Sequence, residues 1–483
     1  MSGRLLITGA SGGVGVPLVR ALLERERDLT LVLRGDAAER AAALFPQAGS
    51  RLRAVAGDVT RPGLGLDGSA LRGLSGVVHL AARTDFAGRS VEDYRAQNID
   101  GALHAAEVAL AARVPLWQVS TAYVAGDHQG ELREDQLDLG QGFKNGYERS
   151  KFEAERALLA LTTHGLRLVR LRLGVALPEE PIPGVPPGPG PLHYLRLLAA
   201  LKPPAGAATR LRTAGDPGAT LSVVPSAWAA QVIAGLVERR SDELAPCYHL
   251  TASRPLSMQE LLQALHRAIP AVQLEPAPRG GPSDPDPLER LVARRCAVYA
   301  PYQFQTTRWD RSRLEADLGP LAQDGADPAW LDRVFAAHLR AWSGQAPAQP
   351  EPAEAGEIRA YFGPFLAAKL GRALIPGLAT LSRAFSISVP GLGTWALSIE
   401  AGRLTRVAPA SAPAALDYEL PPTPLLRVVR GELSPQTVFF AREVRISGPT
   451  HEALALATAL GEFFRRYPFA GAAVPSAHIA RTA

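Results

Sequence analysis

The chain has 483 residues, of which 47% are hydrophobic and 20% are charged, so it is long enough for two or three globular domains and is not a disordered protein. Its formal charge of +5 is too small for this length to indicate a nucleic-acid-binding protein. Cys247 and Cys296 lie far apart, which argues against a disulfide framework and for the cytoplasm. No run of about 18 apolar residues predicts a membrane span, and we expect no signal peptide.

Residues 4–175 alternate short aliphatic strands with helical stretches such as Val14–Glu26 and Tyr147–Thr162. Apolar strands separated by helices predict a parallel sheet covered on both faces, which is an α/β doubly wound fold of the Rossmann type. The predicted strands are Arg4–Thr8, Leu29–Leu33, Leu52–Ala56, Gly76–Leu80, Leu116–Ser120 and Leu166–Leu171.

Three glycines follow the first predicted strand. Gly9, Gly12 and Gly15 stand in "TGASGGVG", between that strand and the first helix. The first glycine permits a tight turn, the second lets the backbone approach a pyrophosphate, and the third lets helix and strand pack closely. The helix N-terminus then faces the anion, so the turn predicts a dinucleotide site.

The second strand ends in Arg34, where a dinucleotide without a 2′-phosphate usually meets an acidic residue. An arginine suits the added phosphate and favours NADP. Asp36 lies two residues further on and keeps NAD as the alternative.

Tyr147 and Lys151 form a Y-x-x-x-K pair on one face of a predicted helix. An ammonium near a phenol stabilises the phenolate, which makes the tyrosine a usable proton donor near neutrality. Ser120 and Thr121 end the strand upstream, and a hydroxyl there can hydrogen-bond a substrate oxygen. These groups predict carbonyl chemistry beside the dinucleotide.

The second half of the chain contains two stretches of loop composition. Residues 178–191, "PEEPIPGVPPGPGP", hold seven prolines and predict an extended loop that forms part of a lid. Residues 343–356 have the composition of a linker. We therefore predict a first domain over 1–342, with a core at 1–177 and a substrate region at 178–342.

Beyond the linker, residues 357–470 predict a smaller α+β domain, followed by a tail at 471–483. Trp395, Leu397 and Ile399 alternate before a turn, as in a hairpin with one apolar face. Another strand, a helix entered by prolines, a last strand and a closing helix follow. Lys and Arg number 12 against 8 Asp and Glu, so the domain is basic and suits an acidic lipid surface or the phosphates of a thioester.

Residues 1–340 resemble an extended short-chain dehydrogenase/reductase. The segments "HLAARTDF", "VSTAYV" and "GYERSKFEAE" are most similar to the branch of fatty acyl-CoA reductases and carrier-protein thioester reductases. The resemblance implies that Thr121, Tyr147 and Lys151 are catalytic, that Asp58 contacts the adenine region, and that Asn98 holds the active-site helix.

With the glycine turn and Arg34, the resemblance gives a set of residues expected to bind the nicotinamide cofactor, NADP in preference to NAD: Thr8, Gly9, Ser11, Gly12, Gly13, Val14, Gly15, Arg34, Asp58, Val59, Ala81, Ala82, Asn98, Tyr147, Lys151, Leu173, Gly174 and Val175. No His, Cys or Asp cluster has the spacing of a metal site, so none is predicted.

The order of elements in residues 357–470 resembles a sterol carrier protein type 2 domain, a family whose fold holds an apolar tunnel for acyl chains or sterols. The two resemblances together imply an NADPH-dependent reductase of a lipid, with a fatty acyl thioester reduced to aldehyde or alcohol as the first hypothesis. A hydroxysteroid or lipid-alcohol dehydrogenase is the alternative enzyme. A lipid-transfer protein with a nicotinamide-sensing domain is the alternative of another class.

The partner expected from this reading is a lipid substrate, an acyl thioester or a sterol, and no nucleic acid. Peripheral contact with a membrane and a homodimer are two further partner hypotheses.

Overall fold

The computed structural model describes residues 3–86, 90–185, 188, 190–201, 209–239, 241–343, 352–372, 382–440 and 444–469. These residues form two compact units, a large one within residues 3–341 and a small one that includes 352–469. The predicted tail at 471–483 lies outside the described residues.

The strands of the large unit are β1 Arg4–Thr8, β2 Leu29–Leu33, β3 Leu52–Ala56, β4 Leu74–His79, β5 Leu116–Thr121, β6 Glu131–Leu132, β7 Leu168–Leu173, β8 Val175–Leu177, β9 Thr209–Ala214, β10 Thr220–Leu221, β11 Val223–Pro225, β12 Cys247–Leu250, β13 Leu256–Ser257, β14 Val272–Ala277 and β15 Arg308–Trp309. The helices in the same part of the chain are α1 Gly15–Glu24, α2 Ala37–Leu44, α3 Glu92–Tyr94, α4 Asp100–Ala112, α5 Gly146–Thr162, α6 Pro191–Ala200, α7 Ser226–Glu238, α8 Met258–Ala268, α9 Pro287–Cys296, α10 Ser312–Leu318 and α11 Pro328–Ser343.

Seven strands form one parallel sheet in the order β12-β7-β5-β4-β1-β2-β3. Successive side chains of β1 point to opposite faces, so Leu5 and Ile7 join a core that contains residues of α1 and α7. Leu6 joins the core on the other face, which contains residues of α4 and α5. The predicted doubly wound α/β fold is confirmed.

The order of strands reverses between β1 and β4, because β1 leads outward through β2 and β3 while β4 leads the other way through β5. Loops at the carboxyl ends of the two central strands diverge at such a reversal and leave a crevice, which is where ligands bind in open α/β sheets. The position of the glycine turn, directly after β1, places it at this crevice.

The limits of some elements differ by one or two residues from the sequence prediction. Strand β7 runs two residues later than predicted, because the chain first turns after α5. Gly165 has a φ of 92° there, and Leu166 donates its backbone N–H to the Leu161 carbonyl, which closes the helix end. The described residues of the proline-rich stretch up to Gly190 form neither helix nor strand, as predicted.

The small unit contains the strands β16 Arg383–Val389, β17 Gly393–Glu400, β18 Arg403–Ala410, β19 Asp417–Glu419 and β20 Arg445–Ser447 and the helices α12 Pro352–Ala360, α13 Pro422–Val429, α14 Pro435–Phe440 and α15 Thr450–Arg466. The strands form one sheet in the order β18-β17-β16-β19-β20. The alternating residues of β17 face a core shared with α13 and α15, as the hairpin pattern predicted.

The small unit contains a helix that begins before the predicted domain limit at residue 357. Helix α12 begins at Pro352, inside the predicted linker, and a π-helical turn, Tyr361–Phe365, follows it. The ring of Phe362 stacks on that of Trp395 with 4.3 Å between centroids. Tyr361 contacts Phe469 edge to face at 5.5 Å. The apolar face of the sheet is therefore covered by aromatic side chains.

Candidate functional site

A cleft of about 960 Å³ lies in the large unit, at the carboxyl ends of the central strands. Most of the residues predicted to bind a nicotinamide cofactor line it together with the three predicted catalytic residues: Gly9, Ser11, Gly12, Gly13, Val14, Gly15, Arg34, Asp58, Val59, Ala81, Ala82, Thr121, Tyr147, Lys151, Leu173, Gly174 and Val175.

Thr8 and Asn98 do not line the cleft but lie directly behind its wall. The hydroxyl of Thr8 shares a 2.7 Å hydrogen bond with Nδ1 of His79 and accepts one from the backbone of Ala81. The side-chain amide of Asn98 donates to Oγ of Ser150 in α5 at 2.9 Å. Both residues therefore fix the elements that carry the cleft, and a direct contact with a cofactor stays a prediction.

The glycine turn has the close approaches that its spacing predicted. Gly9 has a φ of 73°, and a Cβ on it would lie 2.6 Å from the backbone nitrogen of Ala81. A Cβ on Gly15 would lie 2.1 Å from the Gly9 carbonyl oxygen, whereas one on Gly13 would meet nothing within 4 Å. The first and third glycines are thus required by packing. The space beside Gly13 fits a pyrophosphate against the N-terminus of α1.

This difference gives a matched pair of variants. Gly15→Ala should lower the unfolding free energy by about 1–3 kcal/mol, because the added methyl group forces α1 away from β1. Gly13→Ala should leave it nearly unchanged. Thermal unfolding of both variants without cofactor provides the measurement, and equal melting temperatures would contradict the packing role of Gly15.

Two arginines line the cleft near the carboxyl end of β2. Arg34 follows that strand and Arg40 lies on α2, where its Nη1 donates to the Arg34 carbonyl at 2.9 Å. Sequence reasoning missed Arg40, although its place one helical turn after the α2 N-terminus could have indicated it. Asp36 is the N-cap of α2, accepts a hydrogen bond from the Glu39 backbone, and is not among the lining residues.

Asp58 follows β3 and lines the same end of the cleft. Its Oδ1 accepts hydrogen bonds of 2.9 Å from the backbone and the hydroxyl of Thr60. The backbone hydrogen bond is the main reason that the pKa of Asp58 lies below its ordinary value, and nearby Arg34 lowers it further. The carboxylate is thus held ionised, and a contact with the adenine region of a cofactor stays a prediction.

Thr121, Tyr147 and Lys151 meet at the centre of the cleft. The phenol of Tyr147 is hydrogen-bonded to the side chain of Thr121. The ammonium of Lys151 donates to the Val119 carbonyl at 2.9 Å. A strand end and the face of one helix thus bring a hydroxyl, a phenol and an ammonium together, as the sequence predicted.

The pKa values of Tyr147 and Lys151 differ from the sequence-based expectation that the ammonium lowers the pKa of the phenol. Burial raises the pKa of Tyr147 to about 12, although its hydrogen bond with Thr121 acts in the opposite direction. Burial also lowers the pKa of Lys151 to about 8, against the influence of Glu155. Sequence reasoning considered the attraction between ammonium and phenolate but not the desolvation of both groups, which outweighs it here.

The cleft continues past Tyr147 between aromatic and aliphatic side chains. The ring of Phe86 lies 5.6 Å from that of Tyr147, 5.5 Å from that of Tyr299 and 5.7 Å from that of Tyr302. One face of α8 supplies the aliphatic wall: Met258, Leu261, Leu262 and Leu265. Their helical spacing was visible in the sequence, but only the fold shows that they face the reacting end of the cleft.

Two family models match this chain. That of the male sterility protein family matches residues 7–233, and that of the SCP-2 sterol transfer family matches residues 372–461. The first match includes the glycine turn and the three residues at the centre of the cleft. The chain is an extended short-chain dehydrogenase/reductase. It combines a domain that matches the male sterility protein family with one that matches the SCP-2 sterol transfer family.

Relatives of the reductase include the isonitrile lipopeptide synthase of Streptomyces coeruleorubidus, which is 32% identical over 190 residues. That match covers 35% of this chain and 13% of the synthase, so the chain spans a small part of its relative. The terminal R domain of the myxalamid PKS-NRPS biosynthetic pathway has the same fold, with a TM-score of 0.57, 19% identity and coverage of 72% of this chain and 93% of that one.

Two further solved structures share the fold of the reductase. One is a thiolation-reductase di-domain from an archaeal non-ribosomal peptide synthetase, with a TM-score of 0.52 and 18% identity over 69% of this chain and 89% of that one. The other is UDP-glucuronic acid 4-epimerase from Bacillus cereus, with a TM-score of 0.52 and 16% identity over 71% and 99%.

Within its described part, the reductase shows no group of three or more His, Cys, Asp or Glu side chains placed to hold a metal ion. No helix in the described ranges has the length and apolar character needed to cross a membrane.

Proposed function

We propose that the reductase uses NADPH to reduce a fatty acyl thioester to the aldehyde, or further to the alcohol. The observation that carries this proposal is the continuity of the cleft, which leads from the glycine turn past Tyr147 to the apolar wall of α8. A chemically reactive carbonyl can thus lie beside the phenol while an alkyl chain occupies the apolar end.

The residues of the cleft fit a nicotinamide dinucleotide with a 2′-phosphate. The open space beside Gly13, where a Cβ would meet nothing within 4 Å, leaves room for a pyrophosphate at the N-terminus of α1. Arg34 and Arg40 supply two cations beside the end of β2, where an adenosine ribose lies in this fold, while Asp36 is used as a helix cap. This arrangement supports NADP over NAD.

In the proposed reaction, the bound cofactor supplies a hydride to the carbonyl carbon of the substrate. The hydroxyls of Thr121 and Tyr147 hold the carbonyl oxygen and stabilise the negative charge that develops on it. Collapse of the adduct breaks the carbon–sulfur bond and releases an aldehyde and a thiolate, which takes up a proton from water. In a second turnover with the aldehyde, Tyr147 gives its proton to the alkoxide, and Lys151 orients the ribose and stabilises the phenolate.

Initial rates of NADPH oxidation with long-chain acyl-CoA, a long-chain aldehyde and a steroid ketone test this proposal. We expect turnover with the acyl-CoA, with one thiol released for each NADPH oxidised if the product is the aldehyde and for every two if it is the alcohol. Turnover with the steroid ketone alone would establish the hydroxysteroid dehydrogenase alternative, which the SCP-2 segment favours. No turnover with any acceptor, despite cofactor binding, would leave the lipid-transfer alternative.

The small unit is part of the same proposal, as a holder of the acyl chain or sterol. Produced as residues 352–469, it should gain thermal stability from fatty acids, and the gain should rise with chain length, since each buried methylene contributes about 0.8 kcal/mol. Thermal unfolding with a series of acids provides the measurement. A melting temperature that stays constant for every chain length would show that its aromatic core is a scaffold without a lipid site.

A cytoplasmic setting belongs to the proposal as well, because Cys247 and Cys296 are both buried and free.

A further inference from the structure

A layer of buried charge lies behind the catalytic pair, between α5 and the sheet. Glu155 reaches into it from α5, Arg170 and Arg172 from β7, and His249 from β12. Each of these four side chains is at most 4% exposed. Residues of this kind are rarely buried together, because removing them from water is costly unless each has a partner.

Glu155 holds this layer together. Its carboxylate accepts hydrogen bonds from Nη2 of Arg172 at 2.9 Å, from Nε of Arg172 at 3.1 Å and from Nη1 of Arg170 at 3.1 Å. Burial acts against the ionised form, but the guanidiniums of Arg172 and Arg170 outweigh it and hold the pKa of Glu155 at about 2. The carboxylate is therefore ionised at neutral pH.

Lys151 lies one helical turn before Glu155 and is 3% exposed. Among its neighbours, His79 on β4 is kept neutral, because burial and the ammonium of Lys151 lower its pKa to about 3. Tyr147 is neutral as well, because burial raises its pKa. Glu155 is the carboxylate whose charge raises the pKa of Lys151, against the effect of burial.

We propose that Glu155 is a positioning residue, which supplies the counter-charge that keeps Lys151 protonated beside the cofactor site. The inference rests on the proposed function in one respect, since that reaction uses the ammonium of Lys151. Two guanidiniums contact the Glu155 carboxylate and the ammonium of Lys151 lies one helical turn away, so the loss of Glu155 would leave three like charges in a buried region. The ammonium is the one of the three that can lose its proton.

The remaining titratable groups of the layer do not replace Glu155. His249 stays neutral, because burial lowers its pKa to about 3. Cys247 stays a thiol, because burial raises its pKa to about 11. Glu134 accepts hydrogen bonds from the backbones of His249 and Arg313, and burial raises its pKa to about 7, so it carries no fixed charge at neutral pH.

The chain has only four lysines, Lys144, Lys151, Lys202 and Lys369. Lysine labelled with ¹³C at Cε therefore gives an NMR spectrum of four signals, and single Lys→Arg variants assign them. A pH titration of the full chain then measures the pKa of Lys151 without substrate or cofactor. We expect Glu155→Gln to lower that pKa by about one to two pH units, as Coulomb's law predicts for a charge one helical turn away at an effective dielectric constant of about 20. Glu153→Gln is the matched control, because Glu153 lies on the same helix and pairs with Arg149 at the surface.

A second variant gives a result of opposite sign and keeps Glu155 paired. Arg170→Gln removes one cation while Arg172 retains its three contacts with the carboxylate, so the pKa of Lys151 should rise. This variant decides the question if Glu155→Gln does not fold. A titration of Lys151 that is unchanged in the folded variants would overturn the proposal.

The pH profile of NADPH oxidation separates this inference from the proposed function. In Glu155→Gln the alkaline limb should move to lower pH by the same amount as the titration of Lys151, because the ammonium is lost earlier. A shifted titration in a protein that reduces no thioester would leave the counter-charge role intact and reject the proposed reaction. Thioester reduction by a variant in which the titration of Lys151 is unshifted would support the proposed reaction and reject the counter-charge role of Glu155.

Discussion

Tyr147→Phe is expected to lower kcat by about 10²–10⁴-fold, because the variant loses the hydroxyl that donates to the carbonyl oxygen in the proposed reaction. Its ring should still pack against Phe86 at the same place, so the Kd for NADPH should change little. Initial rates and a fluorescence titration of the cofactor measure the two quantities separately.

Tyr94→Phe is the matched control for this variant. The ring of Tyr94 contacts that of Tyr147 edge to face at 6.4 Å, but its hydroxyl donates to the Asp85 carbonyl, and it is not among the residues that line the cleft. Tyr94→Phe should lower the free energy of unfolding but change kcat little. A Tyr147→Phe enzyme that retains more than about a tenth of the wild-type rate would remove the phenol from the proposed mechanism.

Arg34→Ala should weaken NADPH by about 10- to 150-fold and NADH much less, since a charge-assisted contact with phosphate contributes about 1.5–3 kcal/mol. Arg40→Ala should have the same selectivity, because the side chain of Arg40 donates to the Arg34 backbone and lines the same end of the cleft. Titrations of each variant with both cofactors provide the measurement.

Arg20 offers a control, since it is exposed on α1 and lies outside the cleft lining. Arg20→Ala should leave both dissociation constants as they are. Equal losses of NADPH and NADH affinity in Arg34→Ala would mean that this arginine does not contact a 2′-phosphate.

The parts of the site that the sequence predicted are those whose geometry is local. The close approach of Gly15 to the Gly9 carbonyl lies within seven residues of chain, and the pairing of Tyr147 with Lys151 follows from the pitch of one helix. Their position after β1 and on α5 could be read from strands that are apolar throughout because both faces of the sheet are covered.

The parts that the sequence did not predict depend on contacts between distant segments. Phe86 meets Tyr302 across more than 200 residues of chain, and Glu155 meets Arg172 only because α5 lies on β7. No period or spacing marks such a pair in advance. The limits of the domains and the roles of the cofactor-binding residues stay predictions for the same reason.

The aromatic segment that precedes the SCP-2 match has a consequence for how this unit can be exchanged between genes. Ile358, Tyr361, Phe362 and Leu366 are at most 3% exposed, yet all four stand before residue 372, where the family match begins. A recombination point at that residue would separate these four side chains from the core into which they pack. The apolar surface left in water would cost about 1.5–3 kcal/mol for each side chain. The heritable module is therefore longer than its recognisable family sequence, and gene fusions that preserve it must carry α12 with it.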